Sequence, residues 1–201
     1  MIILAVIVGY FVGTISGSYI LGHLLLHQDV RRLGSGNAGT TNAMRVFGRK
    51  IGTMTFLIDV LKGSAVVYLF APHLSDTGIA LLILATVIGH DYPFYMNFRG
   101  GKGVATTLGG FMVIEPKLAA FAVIVGVFSA LFTGYVSFGS LMFLTAMVLG
   151  YFCIGPVTLV EALAVLFILI IGIFRHQENI IRIIAKSERR LSFSILGKKG
   201  Q

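Results

Sequence analysis

The chain has 201 residues, of which 56% are hydrophobic and only 12% charged, with a mean hydropathy of +0.92 and a formal net charge of +8 at pH 7. A soluble domain of this size cannot bury so large an apolar share. The basic residues cluster at the ends of apolar blocks and not along one exposed face, which argues against a nucleic-acid partner. With Cys153 as its single cysteine, the chain can form no internal disulfide and no zinc-finger site.

Taken in order, the apolar blocks predict an all-α, polytopic integral membrane protein of about seven helices, at roughly twenty residues per crossing. The first span is expected from Ile2 to Leu26, with Gly9, Gly13, Gly17 and Gly22 at a near four-residue spacing that suits close helix contact. No basic residue precedes its apolar run, so no secretory signal is expected there and the span stays. The second span is expected from Thr53 to Pro72 and the third from Gly78 to Phe98, broken near its end by His90-Asp91-Tyr92-Pro93. A shorter fourth ends near Glu115-Pro116-Lys117, and a fifth, sixth and seventh follow at Leu118–Phe132, Phe138–Cys153 and Val157–Phe174. Cys153 falls inside an apolar run and reads as a small core residue. The whole chain, 1–201, reads as one membrane-embedded domain with loops at 27–52 and 97–104 and a basic tail at 175–201.

Charge sets the expected orientation. Arg31, Arg32, Arg45, Arg49, Lys50, Arg99, Lys102, Arg175, Arg182, Lys186, Arg189, Arg190, Lys198 and Lys199 share one face if the crossings are odd in number, leaving Lys117 for the other. The lysine- and arginine-rich face is the cytoplasmic one, so the N-terminus is expected outside and the C-terminus in the cytoplasm.

That topology gathers three polar segments on one face. The first, Gly34-Ser35-Gly36-Asn37-Ala38-Gly39-Thr40-Thr41-Asn42, combines glycines at Gly34, Gly36 and Gly39 with side-chain donors and is closed by Arg45. Glycines with positive φ let consecutive amides form a concave anion nest, and an arginine offers a fork for phosphate. The second is the segment from His90 to Gly103. Gly100-Gly101-Lys102-Gly103 is too short for the nucleotide-binding G-x-x-x-x-G-K-[ST] loop, which argues against ATP hydrolysis but leaves a phosphate held by Lys102 and neighbouring amides. The third is the tail from Arg175-His176. Several cations and glycine nests together call for a substrate with more than one phosphate or carboxylate.

Asp59 and Lys62, three apart on the second span, are expected to neutralise each other, because a lone charge at that depth costs about 2.5–3.5 kcal/mol; the alternative is that Lys62-Gly63 reaches into the site from below. His90 and Asp91 read equally as an acid–base pair or as a polar cluster that ends a helix. His23 and His27 look interfacial, and His73 lies on the opposite face. No nucleophile elbow, metal-ligand set or cofactor motif occurs, so any chemistry leans on positioning and charge. A transporter of anions or phosphate esters is the alternative that the same basic loops allow.

Four motifs carry a family likeness: Ser35-Gly36-Asn37-x-Gly39-x-x-Asn42; Asp59-x-x-Lys62-Gly63; Gly89-His90 with Phe98-x-Gly100-Gly101-Lys102-Gly103-Val104-Ala105-Thr106; and Arg175-His176-x-x-Asn179-Ile180-x-Arg182. In order and over nearly the whole chain, they resemble the PlsY family of bacterial acyl-phosphate-dependent glycerol-3-phosphate acyltransferases. The resemblance implies a seven-helix inner-membrane enzyme that moves a fatty acyl group from acyl phosphate to glycerol 3-phosphate, without cofactor or metal. The implied products are lysophosphatidic acid and inorganic phosphate, at the first step of phospholipid synthesis. Membrane lipids and the enzyme that makes acyl phosphate are the further partners it implies. On this basis the two substrate phosphates are expected on Gly34, Ser35, Gly36, Asn37, Gly39, Asn42, Arg45, Gly101, Lys102, Gly103 and Thr106. His176, Asn179 and Arg182 are expected to complete the glycerol phosphate pocket. The proton is expected to go to His90, to His176 or to the donor's own phosphate, and Ser35 is carried as a further candidate catalytic residue.

Overall fold

The computed structural model describes residues 1–191, so Lys198 and Lys199 of the expected basic tail lie outside the described residues. Among the described residues, nine α-helices and short 3-10 turns account for the regular structure. α1 (Ile2–Thr14) and α2 (Gly17–Leu26) together fill the expected first span. They are separated at Ile15, where the backbone becomes extended, and Ser16 restarts the helix by accepting the Tyr19 amide on its hydroxyl. The glycine stripe works as its spacing predicts: Cβ atoms at Gly9 and Gly13 would run into Leu82 and Thr86, and one at Gly17 into Thr55.

α3 (Thr40–Phe70) starts well before the expected second span, so the first loop is short and Arg45, Arg49 and Lys50 ride on helix. A break at Gly48 (φ 83°, ψ 174°) separates this polar head from the apolar shaft. Such a backbone is essentially reserved for glycine. α4 (Asp76–Asp91) is capped by Ser75 and ends at the polar cluster before Pro93. α5 (Val104–Ile114) is followed by α6 (Pro116–Thr133), α7 (Val136–Ile154) and α8 (Leu159–Arg175), close to the expected boundaries. A Thr158/Glu161 capping box opens α8. The chain then bends by 55° into α9 (Gln177–Ile184).

Five segments are long and apolar enough to cross a bilayer, namely α1 with α2, α3, α4, α6 and α7, and α8 taken with α9 makes a sixth. α5, at 11 residues, reaches about 16 Å, half the roughly 30 Å hydrocarbon layer. All seven expected apolar blocks are helical, while the fourth is short for a crossing.

α1 packs on α4, α3 on α5 and α6 on α7, and α4 also meets α8. Leu82, Ile83, Phe111, Leu144, Met147 and Ile168 fill the core. The outside is the inverse of a soluble protein: Ile3, Leu24, Tyr68, Phe132 and Leu159 are among many large apolar side chains pointing outward, as contact with lipid requires. Cys153, expected in the core, belongs to this outer face and is exposed, because it lies on the far side of α7 from Phe143 and Met147.

The buried pair expected in the second span is present. Lys62 Nζ lies 3.0 Å from Asp59 Oδ1 and also donates to the Ile15 carbonyl at 2.6 Å. The lysine thus satisfies a backbone oxygen released where α1 ends and α2 has not yet begun.

Candidate active site

The first polar segment is folded from within by Asn42, in the first turn of α3. Its Oδ1 accepts the Ser35 amide at 2.9 Å, and its Nδ2 shares two protons among the carbonyls of Val30, Leu33 and Asn37 at 3.2, 3.0 and 3.0 Å. Both polar atoms are spent and the side chain is buried, so Asn42 shapes the loop instead of facing a ligand. Gly34 and Gly36 have φ of +63° and +74°, and a Cβ on Gly34 would strike Asn42 Oδ1. Gly39 departs from the expected positive φ: it is extended (φ −107°, ψ 171°) and caps α3. The winding turns Ser35, Gly36 and Asn37 outward.

The second segment is tied to the first and to the end of α4. The amides of Gly100 and Gly101 each donate at 3.0 Å, to the carbonyls of Asp91 and His90, and the Ala38 amide donates to the Gly100 carbonyl at 3.3 Å. Arg31, bound to Asp29 at 2.7 Å, reaches across to the Met96 carbonyl at 2.7 Å. Arg175, the last residue of α8, donates from Nε to Gly101 O at 2.9 Å and from Nη2 to Gly100 O at 3.1 Å. Its guanidinium also lies over the Tyr92 ring.

The third segment begins at the bend after α8. His176 is buried, and its Nδ1 lies 2.7 Å from the Gly172 carbonyl. A carbonyl only accepts, so Nδ1 carries the proton and Nε2 keeps its lone pair. On α9, Asn179 accepts from Lys102 Nζ through Oδ1 and donates to Glu188 Oε1 at 2.7 Å. Arg182 Nε donates to Glu188 Oε2 at 2.7 Å, and Ser137 adds a third donor at 3.0 Å. Burial alone would raise the Glu188 carboxyl, but the donors Arg182, Asn179 and Ser137 outweigh it and hold it below the usual range. Burial, reinforced by Arg182 and Arg175 and opposed by Glu188, pushes the Lys102 ammonium down to about 8.

These segments enclose a cleft of about 210 Å³. Of the expected residues, Ser35, Gly36, Asn37, Lys102 and Arg182 line it, and Asn179 stands behind Lys102. His176 and Gly101 sit in the wall without lining the space, as do Gly34 and Gly39. Gly103 (φ +72°) turns the chain into α5, and Thr106 is buried in that helix where α5 meets Gly63 of α3. Arg45 is exposed on α3 and shares the charged rim of Arg182, Glu188 and Arg189. His90 lies below the loop, 3% exposed, with Nδ1 2.7 Å from Lys62 Nζ.

Sequence reasoning passed over Glu188, the acid that organises Asn179 and Arg182. A glutamate set between Lys186 and Arg189 in the basic tail is the available signal. It also counted Arg175 as a general cation, whereas its fork clamps two loop carbonyls.

A cavity of about 350 Å³ lies at the other end of the bundle, among Asp76, Glu115, Tyr151 and Glu161. Its acidic lining repels an anion, whereas the smaller cleft offers Arg99, Lys102, Arg175 and Arg182 beside Ser35 and Asn37.

Fold and cleft together define a multi-pass helical membrane protein with a basic, glycine-walled recess whose charge suits a small anion. Residues 3–186 match the family model described as Glycerol-3-phosphate acyltransferase, and the chain belongs to that family. A glycerol-3-phosphate acyltransferase of Finegoldia magna is 40% identical over 186 residues, covering 92% of this chain and 93% of the relative. One from Syntrophotalea carbinolica is 43% identical over 189 residues, covering 90% and 93%. The fold matches the crystal structure of PlsY (YgiH), an integral membrane glycerol 3-phosphate acyltransferase, in its glycerol 3-phosphate form: TM-score 0.91, 32% identity, 98% of this chain and 99% of that one. Its lysophosphatidic acid form superposes with TM-score 0.84. The chain is an acyltransferase, which sets the transporter alternative aside.

Proposed function

We propose that the enzyme transfers a fatty acyl group from acyl phosphate to the sn-1 hydroxyl of glycerol 3-phosphate, giving lysophosphatidic acid and inorganic phosphate. The observation that carries the proposal is the convergence of Ser35–Asn37, Arg99–Lys102 and Arg175–Arg182 on one cleft. Ser35, Asn37, Lys102 and Arg182 hold the substrate phosphates, with Arg45 on the outer rim and Asn179 steering Lys102. Phe174 lines the same cleft and points outward beside Ile170 and Ile173 on α8. It gives the acyl chain an apolar track toward lipid, at about 0.8 kcal/mol for each methylene removed from water.

The glycerol oxygen attacks the acyl carbonyl carbon, the bond from that carbon to the phosphate oxygen breaks, and phosphate departs with the electron pair. The hydroxyl proton passes to that phosphate. This assignment is supported by the placement of the two histidines. His90 is below the loop and bonded to Lys62, and His176 is buried in the wall, so neither lines the recess. The donor's phosphate, with a second pKa near 6, has suitable basicity where it stands.

The positive-inside rule puts this cleft on the cytoplasmic side of the bacterial inner membrane, with the N-terminus outside. There the protein that makes acyl phosphate would be its supplier. Purified enzyme mixed with palmitoyl phosphate and glycerol 3-phosphate is expected to release phosphate and lysophosphatidic acid in equal amounts, and palmitoyl-CoA is expected to give neither. Equal rates with the thioester would overturn the donor assignment.

A further inference from the structure

Lys62 is a buried ammonium with three donors and three acceptors around it: Asp59 Oδ1 at 3.0 Å, the Ile15 carbonyl at 2.6 Å and His90 Nδ1 at 2.7 Å. An ammonium cannot accept, so His90 Nδ1 does, and its proton resides on Nε2. The ring thereby has one orientation. Its Nε2 edge lies under Gly101, close enough that a Cβ built on Gly101 would land on Nε2 and Cε1. The His90 carbonyl also takes the Gly101 amide at 3.0 Å, and Arg175 grips the Gly101 carbonyl at 2.9 Å. Lys102 is the next residue.

We propose that His90 is a positioning residue: Asp59 and Lys62 hold its ring as a fixed floor beneath Gly101, and that floor sets where Lys102 meets the substrate phosphate. A membrane-buried ion pair thus acts on the cleft without touching it. Their mutual bonds offset part of the cost of burying these charges. The glycine at Gly101 is then required by the imidazole, in addition to any need for backbone freedom. The proposal rests on the reading that Lys102 grips phosphate.

The test is a double-mutant cycle on the full-length purified enzyme, with thermal unfolding recorded for every variant. G101A pushes a methyl into the ring, and H90A removes the ring. Each is expected to raise the KM for glycerol 3-phosphate by roughly tenfold with a smaller change in kcat. The double variant is expected to be no worse than G101A alone, a coupling of about tenfold, or ~1.4 kcal/mol. H90N supplies a milder variant: its carboxamide oxygen replaces Nδ1 as the Lys62 acceptor and leaves room for the methyl. It should therefore fold like the wild type, raise the KM for glycerol 3-phosphate as H90A does, and add nothing to the G101A defect. Multiplying defects in G101A/H90A would overturn the proposal, because ring and loop would then act independently. An H90N enzyme with unchanged KM but lost turnover and a lost limb of its pH profile would overturn it in favour of His90 as a base. A K102M enzyme with wild-type KM would remove the underlying phosphate-site reading instead, a failure separable from the first two.

Discussion

The proposed contact of Lys102 with the substrate phosphate predicts an affinity for glycerol 3-phosphate that falls as pH rises. Burial and the charges of Arg182 and Arg175 bring its ammonium down to about 8 from a usual 10.5, so the free enzyme carries that charge below pH 8 and loses it above. On the acid side, glycerol 3-phosphate becomes a dianion above its second pKa near 6. Tight binding is therefore expected only at about pH 6–8. At pH 7 about nine in ten Lys102 side chains are charged, and at pH 9 about one in ten, so KM should rise roughly tenfold between them. A charge-assisted hydrogen bond of about 1.5–3 kcal/mol sets a ceiling of roughly 10- to 150-fold on the complete loss. Initial rates of lysophosphatidic acid formation at saturating palmitoyl phosphate, from pH 6 to 10, measure this directly. K102R keeps its charge throughout, so its alkaline limb should vanish even where its activity is lower overall. A wild-type KM that stays flat to pH 10, or the same limb in K102R, would refute the reasoning.

Asn42→Ala removes the acceptor of the Ser35 amide and the two protons shared among three carbonyls, and at about 1 kcal/mol for each of those three bonds should cost ~3 kcal/mol. A wild-type midpoint of thermal unfolding in that variant would contradict the loop's construction. Gly48→Ala meets no atom within 4 Å, so its penalty is backbone strain alone, about 1–3 kcal/mol. Circular dichroism melts should show that loss with KM barely changed. Gly63→Leu drives a side chain into the Thr106 carbonyl and should abolish stable expression, whereas Leu61→Ala, on the outward face, should be tolerated. Ser35→Ala removes one neutral donor and should raise the glycerol 3-phosphate KM by about two- to tenfold, read in the same rate assay.

The all-helical membrane architecture was legible because apolar blocks near twenty residues leave few alternatives, and the last three spans fall within two residues of their observed starts. The start of α3 was hidden. Thr40, Thr41, Asn42, Arg45, Arg49 and Lys50 read as loop material, yet Gly39 caps them into a helix that only Gly48 interrupts. The site was legible as residue types gathered on one face, since glycine, asparagine and arginine in a membrane protein demand a reason. Which of those residues face the cleft was not legible. Asn42 and Ser35 are both polar and seven apart, but the first is spent on four backbone groups and the second is turned outward. The Asp59–Lys62 pair followed from spacing along one helix, whereas the third member, His90, comes from a different helix and a fold-level contact. Glu188 acts through Arg182 and Asn179, again across a turn that no local pattern encodes.

The most direct measurement is a crystal structure of this protein soaked with glycerol 3-phosphate. The phosphate is expected within hydrogen-bond distance of the Ser35–Asn37 loop and Lys102, with Arg182 turned toward it. A phosphate found instead at the opposite end of the bundle, among Asp76, Glu115 and Glu161, or absent from the basic cleft at saturating ligand, would contradict the account.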